Sequence, residues 1–438
     1  MNYFKIYIAL LFFFISMNHA VGQDSLNSAT VEQKSYQLYK DKNWSELITF
    51  GNKAIRIGFD YYYLQLRIGI AYFERKNYSL AEAYFRNALA FNTEDELSLE
   101  YLYYCYLYNG RNEDARLLSK TFNPSLADKI GTSQKSAVDF IIIEGGTKIT
   151  DSSTYYNKIQ NGKTNYFNPA TYIQVGLNHH VKNRVSFFHA VTYFGQETSI
   201  NKVKQYQYFL KASIPIKRNF LISSSFHYVK INVASEFTTT KVDTLYPPGV
   251  PPGSQPPPGA PPFKTETTTT SNTTNSATDN FVGSINVQKT LKKFVFGIGT
   301  TVSSLNKVTQ YNHNGFLAYY LLGNSKLVLG CLGYIHTTNN YKTTNAAINP
   351  FVYIQPVNKL SLKLSYYYNS KNNVVEENGY LVNNSPDITT SKYSALINLN
   401  ISKQVGLYAL YQLENKFEGV QSFNYRYNVI VAGIKVIP

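Results

Sequence analysis

The chain has 438 residues, enough for two domains, and only 16% are charged while 15% are aromatic. Its net charge is +15, but no run of more than two Lys or Arg and no nucleic-acid-binding motif occurs, so nucleic acid is not an expected partner. The two cysteines, Cys105 and Cys331, fall in different predicted domains, which argues against a disulfide framework or a zinc site.

Residues 1–22 have the features of a secretory signal peptide. Lys5 gives a positive start, residues 6–15 are apolar, and cleavage is expected after Ala20 or Gly22. No later segment reaches 18 consecutive apolar residues, so no membrane helix is predicted. We therefore expect an exported protein that is either soluble or a β-barrel.

Residues 28–125 repeat with a period of 34, since residues 43–47, 77–81 and 111–115 align. This resembles the tetratricopeptide repeat (TPR), whose unit is a helix–turn–helix of that length. The middle unit matches the family's small and aromatic positions with Gly69, Tyr72, Ala81, Phe85 and Ala88. The first unit departs from the pattern at Ser35 and Leu47, and Thr93 replaces the usual Pro.

The TPR resemblance implies a surface that docks a periplasmic protein, and Tyr72, Tyr104 and Tyr106 are the candidate protein-binding residues. The alternative is a short solenoid that braces a barrel, in which most of the repeat tyrosines only pack between helices.

From Val138 onward the hydrophobic period changes to two, as expected for strands with one polar face. In residues 359–366, for example, Leu360, Leu362 and Leu364 alternate with Ser361 and Lys363. The pattern predicts about fourteen strands, namely 138–148, 169–180, 184–195, 201–215, 219–234, 280–290, 294–305, 309–322, 326–337, 345–356, 359–370, 389–402, 404–415 and 423–437.

Short basic turns and longer polar connections alternate between these strands. Turns such as 182–184, 217–219 and 291–293 would lie at one end, and longer connections such as 236–278 and 371–388 at the other. This separation is typical of a transmembrane β-barrel with short periplasmic turns and long external loops. The basic turns would face the phosphates of outer-membrane lipids. Residues 247–262 of loop 236–278 are rich in Pro and Gly and predict an extended external arm.

The sequence therefore predicts a multidomain α + β protein, with an α-helical TPR solenoid at 28–125 and an antiparallel outer-membrane β-barrel at 138–438. The layout resembles YaiO-type barrels of double-membraned bacteria and, with fewer repeats, exopolysaccharide export porins. It implies a scaffold or transport-associated protein whose TPR domain docks a partner. The alternative is an export conduit that passes a polysaccharide, another polymer or a small solute.

No catalytic motif, cofactor motif or metal-ligand spacing is found, so an enzyme is not predicted. Ser186, Asn178 and His189 have the residue types of a barrel lipase but not its spacing. His179 and His180 are adjacent and should face opposite sides of a strand. His227 and His313 are interpreted as lumen or wall residues.

Overall fold

The computed structural model describes residues 26–132, 136–150, 159–160, 163–164, 168–182, 184–198, 201–216, 219–338, 343–368, 374–383, 387–418 and 422–438. The predicted signal peptide lies outside these ranges. The chain divides into two compact units, Met1–Arg111 and Asn112–Pro438.

Among the described residues, seven α-helices, α1 to α7, precede the strands. In chain order they span Ser28–Lys40, Trp44–Arg56, Tyr62–Glu74, Tyr78–Phe91, Glu96–Tyr108, Asn112–Leu118 and Pro124–Ile130. The first five belong to the first unit and the last two to the second. Among the described residues, no helix is long and apolar enough to cross a membrane.

Helices α1, α3 and α5 end in the same way at intervals of 34 residues. Lys42, Lys76 and Gly110 have positive φ angles of 53°, 58° and 70°. The amide of the following residue then donates to a carbonyl five residues earlier, at 2.9, 2.9 and 2.8 Å. This is the Schellman C-cap geometry, which stops a helix and turns the chain into the next one.

The helices approach closely where the sequence has small residues. At Gly69, a Cβ atom would lie 2.8 Å from Cε1 of Phe85, so a larger side chain would displace that ring. Ala54 and Ala88 are fully buried as well. Close contact of α3 with α4 therefore depends on Gly69.

Fourteen antiparallel strands form a closed barrel, which confirms the predicted barrel and its strand number. Strands β1 to β14 span Val138–Thr150, Ala170–Val181, Val185–Glu197, Asn201–Ile216, Phe220–Leu245, Lys264–Leu291, Phe294–Leu305, Val308–Tyr320, Leu327–Thr338, Thr343–Val357, Leu360–Tyr368, Ile388–Asn400, Val405–Glu418 and Phe423–Val436. Closure joins β1 to β14, with Ile141 opposite Val436 and Thr150 opposite Tyr427. Every strand thus has two neighbours, and no open edge remains around the ring.

The tight turns of the barrel use left-handed residues. Lys182, Asn219 and Lys292, in the predicted short turns, have φ angles of 49°, 63° and 50°. At the other end, Asn306 and Lys307 join β7 to β8 with φ angles of 52° and 65°. Two left-handed residues in a row are the requirement of a two-residue hairpin turn.

The predicted loop 236–278 is shorter in the structure. Strands β5 and β6 continue through its Thr-rich flanks, so that only residues 246–263 connect them. Thr is β-branched and favours strands, and this preference decides the conformation of the flanks.

Connection 371–388 also departs from the prediction, because residues 374–383 do not extend outward. Val374–Glu376 and Leu381–Asn383 form a small antiparallel hairpin, joined by a helical turn at Glu377–Gly379. We call residues 374–383 the inner hairpin.

Candidate functional site

The barrel wall has an apolar outer face. Each strand carries at least one large apolar side chain that is more than a third exposed, and these include Ile143, Ile173, Val191, Tyr206, Phe226, Ile285, Ile298, Leu317, Leu329, Ile348, Leu364, Ile397, Leu407 and Ile430. The predicted alternation in residues 359–366 is confirmed, since Leu360 and Leu364 are exposed and Ser361 is buried.

The opposite face of the wall is mostly polar. The strand register places on this face a set of polar side chains that includes Gln174, Thr192, Ser225, Ser284, Asn312 and Lys392. A polar face can be solvated only when the interior holds water or hydrogen-bonding groups.

The inner hairpin lies within the ring of strands. Its backbone carbonyls accept hydrogen bonds from Ser225 on β5, Ser284 on β6 and Asn312 on β8. Its side chains contact Gln174 on β2 and Lys392 on β12. Because these strands lie on different sides of a closed ring, only a segment in the lumen can reach all of them.

The tip of the hairpin is held by three side chains of the wall. Ser225 Oγ and Ser284 Oγ donate to the Asn378 carbonyl at 2.6 and 2.8 Å. His227 Nδ1 donates to the Gly379 carbonyl at 2.8 Å. Three further contacts fix the rest of the hairpin, beginning with Asn312 Nδ2, which donates to the Val375 carbonyl at 2.7 Å.

The tip backbone is left-handed at three consecutive residues. Glu377, Asn378 and Gly379 have φ angles of 48°, 60° and 91°. Left-handed geometry costs about 1–2 kcal/mol for each residue that is not glycine. Such a conformation persists only where its surroundings determine it, so the bonds from the wall hold the tip in a strained form.

The second of the three contacts that fix the rest of the inner hairpin is made by an aromatic ring. The ring of Tyr380 packs against Phe188 and Phe209, with centroids 6.0 and 5.0 Å apart. Gln174 donates to the Tyr380 hydroxyl and also, at 3.0 Å, to Glu144. The third is ionic, since Lys392 Nζ lies 2.6 Å from Glu376 Oε1 and both side chains are less than 10% exposed.

The ion pair adjoins a second charged group on the wall. Glu414 lies 2.8 Å from Lys148 and 3.9 Å from Lys416, and Lys416 donates to Thr389 at 2.6 Å. Positive and negative groups therefore alternate across β1, β12 and β13, which keeps charge paired beside the hairpin.

Apolar contact adds to these bonds. Val375 is 1% exposed and packs with Val282 and Leu305 of the wall. Val382 of the same hairpin packs against this cluster too. The inner hairpin thus combines apolar, aromatic and polar contacts.

The end of the barrel at which β1 begins is joined to helix α6. Arg116 Nη2 donates to Asp139 Oδ1 at 2.8 Å, and His180 Nδ1 lies 3.1 Å from the same oxygen. Asp139 is at the irregular start of β1. This ion pair fixes the segment that enters the barrel.

The residue types of a lipase are not brought together. Ser186 Oγ donates to Asn178 Oδ1 at 3.2 Å on the lumen side. His189 is on the outer side, where its Nε2 lies 3.1 Å from His179 Nε2. His179 and His180 face opposite sides, as predicted. His227 faces the lumen, whereas His313 lies opposite Thr300 on the outer face.

The three predicted protein-binding tyrosines lie in α3 and α5. Tyr72 stacks on Tyr84 with centroids 5.3 Å apart, and Tyr104 stacks on Tyr108 at 5.9 Å. Tyr106 is only 4% exposed and accepts a hydrogen bond from Arg86. All three take part in packing, and binding through them stays a prediction.

Within the described ranges, no group of three or more His, Cys, Asp or Glu is arranged to hold a metal ion. Cys105 and Cys331 are both free thiols. Burial raises the pKa of the Cys105 thiol well above its usual value.

The inner hairpin is the functional element that sequence reasoning missed. Its signal is the apolar content of a connection expected to be polar, at Val374, Val375, Tyr380, Leu381 and Val382. Side chains of this kind in an external loop predict a segment that packs against something.

No family model matches the chain, and no curated protein matches it. Solved structures do match. The Ralstonia pickettii toluene transporter TbuX aligns with 70% of this chain and 90% of its own, at 8% identity and a TM-score of 0.43. A Pseudomonas aeruginosa FadL homologue aligns with 68% of this chain and 90% of its own, at 8% identity and a TM-score of 0.40.

The Acinetobacter baumannii outer membrane protein Omp33 aligns with 69% of this chain and 100% of its own, at 10% identity and a TM-score of 0.36. The barrel is established by the strand pairing within the chain itself.

Proposed function

We propose that this chain is a bacterial outer-membrane β-barrel that passes small polar solutes when the inner hairpin leaves the lumen. The observation that carries the proposal is the hydrogen bonding of residues 374–383 to strands around the ring. A segment held mainly by polar contacts can be displaced, because water can replace each of its hydrogen bonds.

The membrane location is supported by the barrel surface. All fourteen strands have exposed apolar side chains on one face, and the closed backbone leaves no edge for lipid to meet. The strands have 9 or more residues, which matches a tilted strand that crosses a bilayer. With the helices in the periplasm, β1 runs outward and the basic turns lie on the periplasmic side.

The solute class follows from the lining. The inner face carries buried Gln174, Thr192 and Asn286, beside apolar residues such as Phe209 and Val295. The uncharged polar groups favour a hydrated polar solute over an apolar one. The alternative of a polymer conduit is less well supported. A polymer needs an unobstructed path from end to end, and the inner hairpin lies across that path.

The helical unit is proposed to be a TPR domain that docks a periplasmic protein. The 34-residue recurrence of the left-handed caps at Lys42, Lys76 and Gly110 supports the repeat, as does the contact of Gly69 with Phe85. Docking can be tested in the full chain by site-specific cross-linking from Tyr104, with a probe on barrel residue Leu329 as the control. Specific adducts from the helical site alone would support docking.

The pore proposal is tested by single-channel conductance in planar bilayers. The variant replaces residues 374–383 with a Gly-Ser linker of equal length, and the matched control replaces residues 249–258 of the Pro-rich connection in the same way. We expect steady conductance from the first variant, and rare openings from the control and the native chain. A folded variant without conductance would contradict the proposal.

A further inference from the structure

Strands β5 and β6 extend far beyond their neighbours. Their pairing continues from Glu236 opposite Thr273 to Leu245 opposite Lys264. Strand β4 pairs with β5 only up to Ser235, and β7 pairs with β6 only from Phe281. We call residues 236–245 with 264–273 the ribbon. Its ten pairs reach about 33 Å at about 3.3 Å per residue.

In the outer part of the ribbon, residues 239–245 with 264–270, all the charged side chains lie on one face, whereas threonines lie on both. Alternation places Thr240, Thr244, Thr265, Thr267 and Thr269 on one face, and all five are exposed. We call these five residues the hydroxyl face.

The opposite face carries the charges, and there Lys241 Nζ lies 2.8 Å from Asp243 Oδ2. Glu266 pairs with Asp243 on this face, and Lys264 lies on it too. The only other side chain between the threonines of the hydroxyl face is Val242, which is 58% exposed.

In the part of the chain that the structure describes, neither edge of the ribbon pairs with a further strand. A two-stranded segment of β-branched residues with free edges adds strands from other chains unless charge, proline or a covering group prevents it. The hydroxyl face has only Glu236, at the base of the ribbon, and its outer part has no charged side chain. The hydroxyl face therefore requires a covering group that is hydrated and uncharged.

We infer that the hydroxyl face is a modification site, in which threonine hydroxyls carry O-linked sugars. Threonine-rich segments next to proline-rich ones are the composition of O-glycosylated stalks, and residues 247–262 provide the proline. Sugars are bulky and solubilising, and on this face they would block both edges. The inference rests on the external placement of the ribbon in the proposed function.

The reaction uses a glycosyl phosphate donor and a transferase of the host cell. The Thr Oγ attacks the anomeric carbon, forming a new C–O bond while the bond from that carbon to the donor phosphate oxygen breaks. The hydroxyl proton passes to a base of the transferase, and the phosphate leaves with the bonding electron pair. No oxidant or reductant is needed.

The test is peptide mass spectrometry of the full chain isolated from outer membranes of its native host. Trypsin cleavage after Lys264 and Lys289 releases residues 265–289, which contain Thr265, Thr267 and Thr269. Peptide 294–307, with wall threonines only, is the internal control. We expect added mass in whole sugar units on the first peptide and none on the second. Mild base should release the sugars.

Two variants show which face of the ribbon carries the sugars. T265V/T267V/T269V keeps the branched shape of each side chain and should lose the added mass. T268V/T270V changes the opposite face of the same strand and should keep it. Unmodified peptide 265–289, or mass confined to Thr268 and Thr270, would overturn the inference. The pore proposal is tested by conductance and the modification by mass spectrometry, so a failure of one can be told apart from a failure of the other.

Discussion

The substitution Gly379→Ala at the tip of the inner hairpin should open the lumen. Gly379 has a φ of 91°, which L residues rarely adopt. A Cβ atom there would also lie 3.0 Å from Ser225 Oγ, so this hydroxyl would have to move. That hydroxyl is one of the two that bond the Asn378 carbonyl.

The expected cost comes from these two effects. Left-handed backbone costs about 1–2 kcal/mol for alanine relative to glycine. Loss of the Ser225 hydrogen bond costs about 1 kcal/mol. Together, about 2–3 kcal/mol favours the displaced hairpin, which is a factor of about 30 to 140 in the equilibrium. A displaced fraction of ~0.1% would rise to about 3–12%.

The assay is open probability in planar bilayers, measured from many single barrels. Gly283→Ala is the matched control, because Gly283 is on β6 next to Ser284 but an added Cβ would meet nothing within 4 Å. We expect frequent openings for G379A and native behaviour for G283A. Native open probability in G379A, while the 374–383 replacement conducts steadily, would refute the reasoning about the tip.

Glu376→Gln should also raise open probability, because it leaves the buried Lys392 ammonium without its partner at 2.6 Å. The double variant E376Q/K392M should return towards native conductance, and equal conductance of single and double variants would contradict this. Cys105 should react slowly with maleimide in the native chain and rapidly in denaturant, since it is fully buried with a raised pKa; fast native labelling, followed by mass, would argue against this packing. Lys76→Gly should stabilise the helical unit by about 1 kcal/mol, and Gly110→Ala should destabilise it by a similar amount. Both substitutions are measured by urea unfolding, and a destabilising Lys76→Gly or a stabilising Gly110→Ala would disprove the shared cap geometry.

The barrel was predictable because its signals are local. Alternation such as Leu360, Ser361 and Leu362 fixes which face each residue occupies, and short turns fix antiparallel order. The predicted strands lie within a few residues of those observed, apart from the extension of β5 and β6. In these two strands, the preference of threonine for β-structure outweighed the Pro- and Gly-rich composition of the neighbouring connection.

The inner hairpin could not be located from the same signals. Its position depends on side chains that are distant in sequence, such as Ser225, Ser284 and Asn312, and that meet only after the ring has closed. Periodicity shows that their faces are polar, but it does not show what they bond. The three left-handed residues at its tip are likewise set by the wall rather than by local preference, except at Gly379.

The width of the barrel explains why a segment of the chain lies inside it. Side chains alone fill a barrel of about eight strands, whereas barrels of 16 to 18 strands leave an aqueous channel. A ring of fourteen strands is between these limits, so its polar face must meet either water or an inserted segment. The inner hairpin meets that face with backbone carbonyls and one ion pair, and its apolar contacts are made by Val375, Val382 and Tyr380. Water can satisfy the same wall groups after the hairpin moves, and for this reason the closed and open states can be close in free energy.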